Sequence, residues 1–247
     1  MKPNVVAVVP ARLNSSRFAG KVIFPHRGKP LLFYLLKEIA RSKRIGRVVV
    51  ATDSREVRRA LENAEVEVLM TSSRHRTGSD RAAEVVDKIG GDIILNIQAD
   101  NFGLKAAVLD RIIDKLIQNR RIEFATIARR IESDAELSDP NVVKVVTGRD
   151  GRALWFSRFP LPYLQKTSRG RRVGQFPFYH HIGVYFFRRA ALMRFAAWKR
   201  TPMEKAESLE QLRILENGHD LTVFKTSMKS VSVDTPRDLK KIAKLYR

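Results

Sequence analysis

The chain has 247 residues, and 47 Lys and Arg against 26 Asp and Glu give it a formal net charge of +21. With 44% hydrophobic residues it can bury a sizeable core, which excludes disorder as its main state. The absence of cysteine excludes disulfide scaffolds, thiolate zinc sites, iron–sulfur clusters and thiol nucleophiles, and five histidines leave mainly oxygen-ligand metal chemistry.

Val5 to Val9 reads as a buried strand, followed by Leu32, Leu35, Leu36, Ile39 and Ala40 at helical spacing. Arg47 to Ala51 is the next strand, then a helix near Arg55 to Asn63 and a strand Val66 to Met70. Ser79 to Ile89 is a helix with Ala82, Val85, Val86 and Ile89 inward. Ile93 to Ile97 is a strand, and Leu109, Ile112, Ile113 and Leu116 mark another helix. Alternation of this kind predicts an α/β fold with a mainly parallel sheet covered on both faces. In the second half, Val142 to Val146 and His181 to Phe187 read as strands on either side of a polar, basic loop or arm from Arg158 to Phe176. Ala206, Leu209 and Leu212 form one helical stripe ending at Asn217–Gly218. Leu221 to Phe224 and Val231 to Val233 are short strands. Thr235, Pro236 and Asp238 then cap a final helix carrying Leu239, Ile242, Ala243 and Tyr246. No repeat or linker divides the chain, so a single domain, 1–247, is expected, with an arm within about 150–200.

No window approaches the roughly 18 to 20 apolar residues of a membrane span, and a cytoplasmic protein is expected. The charge raises nucleic acid as a partner. The basic runs Lys166 to Arg172 and Lys240 to Lys244 are short, however, and no zinc-finger or aromatic RNA-binding pattern accompanies them, so a nucleic-acid partner is not expected.

In open α/β sheets ligands sit beyond the carboxyl ends of the strands. The loop Pro10 to Lys21 offers Arg12, Ser15, Arg17, Gly20 and Lys21, groups suited to phosphate. It is neither a dinucleotide fingerprint nor a P-loop: there is no G-x-G-x-x-G, Gly28–Lys29 is followed by Pro30, and Ile23 stands where a Walker A sequence needs glycine. Thr71 to Arg81 could read a base or ribose, or simply cap a helix. Asp100 follows the strand Ile93 to Ile97 and Asp234 follows Val231 to Val233. An acid at a strand tip can hold Mg²⁺, which takes one or two carboxylates and completes its shell with water and phosphate; each can equally be a turn acid. Glu204, Glu207 and Glu210 fit the solvated face of a helix.

The segments P-A-R-L-N-S-S-R-F-A-G-K (Pro10 to Lys21), Gly28–Lys29–Pro30, Ala51–Thr52–Asp53, Thr77 to Arg81, Asn96 to Asp100, Asn141 to Val146, Phe156–Ser157–Arg158, His181 to Tyr185, Leu209 to Arg213 and Val233 to Pro236 run in order along the chain. In this arrangement the sequence resembles the 3-deoxy-manno-octulosonate cytidylyltransferases, or CMP-Kdo synthetases, nearly end to end. The resemblance implies a GT-A-like nucleotidyltransferase fold with a mixed, mainly parallel central sheet, helices on both faces and a small dimerisation arm. It implies a homodimeric enzyme of lipopolysaccharide biosynthesis that joins CMP from CTP to the anomeric hydroxyl of an ulosonic acid, Kdo, with Mg²⁺. Arg12 and Lys21 match the triphosphate-binding cations, and Asp100 and Asp234 the metal ligands. Ser15, Ser79 and Arg81 fall in nucleotide-binding segments. Gln98, His181, Tyr185, Glu210 and Gln211 match sugar-binding positions, with Arg158 a candidate for the sugar carboxylate.

Four departures accompany the match. The family's G-D-E-P is Ala99–Asp100–Asn101–Phe102 here, which removes a carboxylate and puts a Cβ where a positive φ would be unfavourable. Ala19 replaces a proline, His180 an arginine and Ser232 a glycine. These mark a divergent member. A cytidylyltransferase for a modified ulosonic acid such as 8-amino Kdo, or a nucleotide- or polyanion-binding protein without catalysis, are the alternative expectations.

Overall fold

The computed structural model describes residues 3–13, 18–168, 170–233 and 235–246. Strand β1 (Val5–Pro10) is buried throughout, as a β-branched run covered on both faces must be. The two-residue strands β2 (Pro25–His26) and β3 (Lys29–Pro30) pair around Arg27 and Gly28, whose φ values of 50° and 74° suit a tight turn. Helix α1 (Leu31–Ile39) follows, then β4 (Arg47–Thr52) and α2 (Arg55–Ala60), where the Ser54 side chain accepts from the Val57 N–H. Strand β5 (Glu67–Met70) leads to α3 (Gly78–Ile89), which begins with a capping box between Thr77 and Asp80. β6 (Ile93–Ile97), β7 (Asn101–Phe102) and α4 (Ala106–Gln118) complete the first half.

The second half contains β8 (Phe124–Arg130), α5 (Asp134–Ser138), β9 (Lys144–Thr147), β10 (Ala153–Ser157) and α6 (Arg172–Gln175). Next come β11 (Tyr179–Arg188), α7 (Arg189–Ala197), α8 (Pro202–Glu207), α9 (Leu212–Glu216), β12 (Thr222–Thr226), β13 (Val231–Ser232) and α10 (Leu239–Leu245). A nine-stranded sheet runs β10-β9-β11-β6-β1-β4-β5, with β8 on the other side of β11 and β12 beyond it. β6, β1, β4 and β5 are mutually parallel, whereas β11 is antiparallel to β6, β8 and β9. Val5, Ala7 and Val9 of β1 pack on α1 and α4, while Val6 and Val8 pack on α3 and α7. The strand period of two thus feeds two cores and places helices on both faces, as expected.

Several elements differ from the sequence reading. The stripe through Ala206, Leu209 and Leu212 is two short helices, because Ser208 takes a left-handed φ of 53° and ends α8. β8, β10, α5 and α7 were not anticipated. Within 150–200, β10, β11 and α7 belong to the sheet and its helical layer, leaving the described residues of 158–168 and 170–178 as irregular chain around α6. That segment packs Leu164, Val173, Phe176 and Phe178 against Ile131 and Leu137. Ala99 carries no positive φ, so the expected backbone conflict is not found. Among the described residues no helix is long and apolar enough to cross a membrane.

Candidate active site

Two cavities meet beyond the carboxyl ends of β1 and β6. One, of about 240 Å³, is lined by Arg12, Lys21, Arg76, Gln98 and Asp100 among others. Its neighbour, of about 450 Å³, is lined by Gln98, Asp100, Asn101, His181, Tyr185, Glu210 and Gln211 among others. Gln98 and Asp100 therefore face both, on the turn that directly follows β6.

In the smaller cavity the Lys21 ammonium donates to Asp100 Oδ2 at 2.5 Å and to the Val233 carbonyl at 2.8 Å. Val233 N–H in turn donates to the Asp100 carbonyl at 3.1 Å, so the late β13 segment is tied to the Asp100 turn. Arg12 donates to the His75 carbonyl. Burial and the neighbouring Arg81 lower the Arg12 pKa from the usual arginine value, with Asp53, Asp80 and Glu210 opposing the shift. Ser15 and Asp234 lie outside the described residues.

The larger cavity is backed by a continuous hydrogen-bond chain. Tyr185 Oη donates to Gln211 Oε1 at 2.8 Å, and Gln211 Nε2 lies 3.5 Å from His181 Nδ1. Thr126 Oγ1 is 2.8 Å from the Val184 carbonyl and 2.9 Å from His181 Nε2. A hydroxyl has one proton, and a carbonyl can only accept; Thr126 therefore donates to Val184 and accepts from the His181 Nε2–H, leaving Nδ1 as acceptor for Gln211. Burial, reinforced by His180, lowers the His181 pKa to about 3, so this ring is neutral. Burial and Glu210 hold the Tyr185 phenol well above its usual value, and burial raises Glu210. Tyr185, Gln211 and His181 thus present neutral donors and acceptors, a chemistry suited to sugar hydroxyls, in a cavity that Arg76, Asp100, Arg158, Arg200, Glu204 and Glu210 also line.

The remaining expected residues take supporting positions. The Ser79 hydroxyl is buried and accepts from Asn96 Nδ2 at 2.9 Å, while its N–H donates to Glu210 Oε2 at 3.3 Å. Arg81 is fully buried, with Nη2 3.2 Å from Asp53 and no hydrogen-bond partner at Nε. Neither residue lines either cavity. Arg158 lines the larger one, but its Nε, Nη1 and Nη2 donate to the Glu207, Pro140 and Ser208 carbonyls at 2.8, 3.0 and 3.5 Å. Glu204 is not on a solvated face: it is 1% exposed and holds Arg213, also 1% exposed, through bonds of 2.7 and 2.8 Å. Glu207 accepts from Ser157 and from the Arg158 N–H.

Sequence reasoning missed Thr126, Glu204, Arg213 and the role of Asn101. Asn101 Nδ2 donates to the Gly183 carbonyl at 3.1 Å, linking the Asp100 turn to the irregular middle of β11. A carboxylate there could not donate, so the amide ties the Asp100 turn to β11 in the wall of the larger cavity.

A phosphate-suited cavity opening into a polar one with a neutral, hydroxyl-suited hydrogen-bond chain, at the strand ends of a Rossmann-like sheet, defines a nucleotidyltransferase. The cytidylyltransferase family model matches residues 6–245. The 3-deoxy-manno-octulosonate cytidylyltransferase of Geobacter sulfurreducens is 41% identical over 97% of this chain and 98% of its own, and that of Geobacter metallireducens 42% over 96% of each. A solved CMP:2-keto-3-deoxy-manno-octonic acid synthetase, complexed with CTP, superposes with a TM-score of 0.89 at 31% identity over 98% of both chains. A cytidylyltransferase from Leptospira borgpetersenii, 16% identical, shares the fold at a TM-score of 0.65 over 97% of this chain and 85% of its own. The chain belongs to the cytidylyltransferase family, and within it to the 3-deoxy-manno-octulosonate cytidylyltransferases.

Proposed function

We propose that this chain transfers CMP from CTP to the anomeric hydroxyl of Kdo and releases pyrophosphate. The observation that carries the reading is the meeting of the two cavities at Gln98 and Asp100: a triphosphate beside Arg12 and Lys21 would present its α-phosphorus to a sugar held by Gln98, His181, Tyr185, Glu210 and Gln211.

In the reaction the sugar oxygen forms a bond to the α-phosphorus while the α–β bridging bond breaks. Pyrophosphate takes the electron pair and the hydroxyl proton is lost to solvent. Arg12 and Lys21 neutralise the triphosphate, and the rigid chain from Tyr185 to Thr126 orients the sugar hydroxyls, so catalysis rests on positioning and charge stabilisation. Ser15, Ser79 and Arg81 belong to the proposed nucleotide side, with the latter two acting from behind the cavity wall. Arg158 shapes the sugar cavity through its backbone bonds.

Mg²⁺ fits this site. Asp100 offers a hard oxygen ligand where the cavities join, the donor chemistry that Mg²⁺ takes alongside phosphate oxygens. Asp100 and Asp234 would hold it, and when bound it would acidify the attacking hydroxyl and neutralise phosphate charge. The homodimer and a cytoplasmic location are part of the same proposal; Phe159 and Tyr163 in the 158–178 segment, 73% and 84% exposed, are candidate dimer contacts, and native mass would test this.

The test is pyrophosphate release with Mg²⁺, CTP and Kdo, against ATP, GTP, UTP and sialic acid controls. Release that requires both CTP and Kdo supports the reading. Binding of CTP without release would redirect it to a modified ulosonic acid such as 8-amino Kdo, and failure with those acids to a binding role.

A further inference from the structure

Arg76 lines both cavities, together with Gly78, Gln98 and Asp100, and is exposed. Its side chain makes no hydrogen bond or ion pair with the described residues. The backbone around it is nevertheless fixed: Ser72 N–H donates to Glu84 Oε2 at 2.9 Å, the His75 ring meets the same oxygen at 2.5 Å, the His75 carbonyl accepts from Arg12, and Thr77 caps α3. A held backbone thus carries an uncommitted guanidinium to the passage between the cavities.

The other arginines of the larger cavity are engaged. Arg158 is spent on backbone carbonyls, and Arg200 Nε donates at 3.0 Å to Glu204, whose carboxylate also pairs with Arg213. The reaction proposed above brings two anions together at this passage, because the carboxylate of an ulosonic acid sits on the carbon that bears the attacking hydroxyl. A guanidinium has five donors in a plane and can bond a carboxylate and a phosphate at once, whereas an ammonium acts as a point charge.

We propose that Arg76 is a catalytic residue that bridges the sugar carboxylate and the α-phosphate of CTP, screening their repulsion as the sugar oxygen attacks. This rests on the cytidylyltransferase reading. Arg12 and Lys21 already serve the rest of the triphosphate, so CTP binding in the absence of sugar depends little on Arg76.

The experiment compares wild type, Arg76→Gln and Arg76→Lys in pyrophosphate release with CTP and Kdo, and with a Kdo analogue carrying a carboxamide in place of the carboxylate. Arg76→Gln should lower kcat about 100-fold, in the range for loss of one transition-state donor, and raise the KM for Kdo. Arg76→Lys should recover part of the rate. CTP affinity by calorimetry should stay within about 3-fold, since the triphosphate keeps its other charge-assisted bonds. With the carboxamide acceptor the gap between wild type and Arg76→Gln should narrow. Wild-type turnover with Kdo alongside Arg76→Gln at a similar rate overturns the inference alone, and an undiminished gap with the carboxamide overturns the bridging role. Absence of wild-type turnover overturns the parent reading and the inference with it.

Discussion

Replacing Tyr185 by phenylalanine tests the hydrogen-bond chain behind the larger cavity. The substitution removes the phenol that donates to Gln211 Oε1 at 2.8 Å and leaves that oxygen in a site where Tyr185 is 4% and Gln211 2% exposed. A buried acceptor without its donor costs about 1–3 kcal/mol. In a chain of this size each kcal/mol moves the melting point by about 2–4 °C, so a fall of about 2–12 °C is expected. Gln211→Leu alone should also destabilise, because it strands the phenol and takes the donor from His181 Nδ1. The double variant Tyr185→Phe/Gln211→Leu should lose less than the sum, since an apolar pair leaves no stranded partner at that bond. Thermal and urea unfolding of the four proteins without ligand measure the cycle. A Tyr185→Phe protein melting within about 1 °C of wild type, or penalties that simply add, would refute the assignment of this bond as buried and coupled.

Asp100→Asn should cut pyrophosphate release at least about 100-fold through loss of the metal ligand, and a near-normal rate would remove that assignment. Chelation by EDTA should abolish turnover and added Mg²⁺ should restore it; turnover that persists in EDTA would exclude the metal. Breaking the buried Glu204–Arg213 pair with Glu204→Gln should destabilise, but by less than the about 3–5 kcal/mol of a wholly stranded charge, because Asp80 still lies 3.2 Å from Arg213 Nη1; denaturant unfolding indistinguishable from wild type would contradict the burial of this pair. Burial lowers the pKa of His181 to about 3 and that of His180 to about 4, so between those values and about 6.5 the unfolded chain binds protons that the folded chain does not. Stability should therefore fall as pH drops from about 6.5 to 4, by up to about 1.4 kcal/mol per pH unit for each histidine, and His181→Asn should flatten the slope. An unchanged slope in that variant would show that His181 titrates normally.

The parallel half of the fold was legible because β1, β4 and β6 are continuous β-branched or apolar runs separated by amphipathic helices, and their carboxyl ends located Arg12, Lys21, Gln98 and Asp100. β8 was not, since Thr126 and the terminal Arg129 and Arg130 interrupt its apolar pattern; Thr126 is polar because it orients His181, which no local period reveals. Glu204 and Arg213 looked like helix-face charges. Their burial depends on Ser208 breaking the helix and folding α9 back on α8, a turn set by φ at one residue. Arg158 read as a ligand cation by type, but its partners are carbonyls from distant segments. Arg76 carried only a faint signal, a further cation in an already polar loop after β5.

The bonds that join Lys21 to Val233 and Asp100 to Val233 bring the two ends of the chain together. A ribosome releasing this protein vectorially can lay down β1, β4, β5 and β6 early, but the Lys21 ammonium in the smaller cavity gains its bond to the Val233 carbonyl only after residue 233 has emerged. A translation product that stops short of β13 lacks Val233 and Asp234 whatever its first half has folded into. Cytidylyl transfer should then be all or nothing along the coding sequence, so that interrupted synthesis leaves no shortened enzyme to consume CTP.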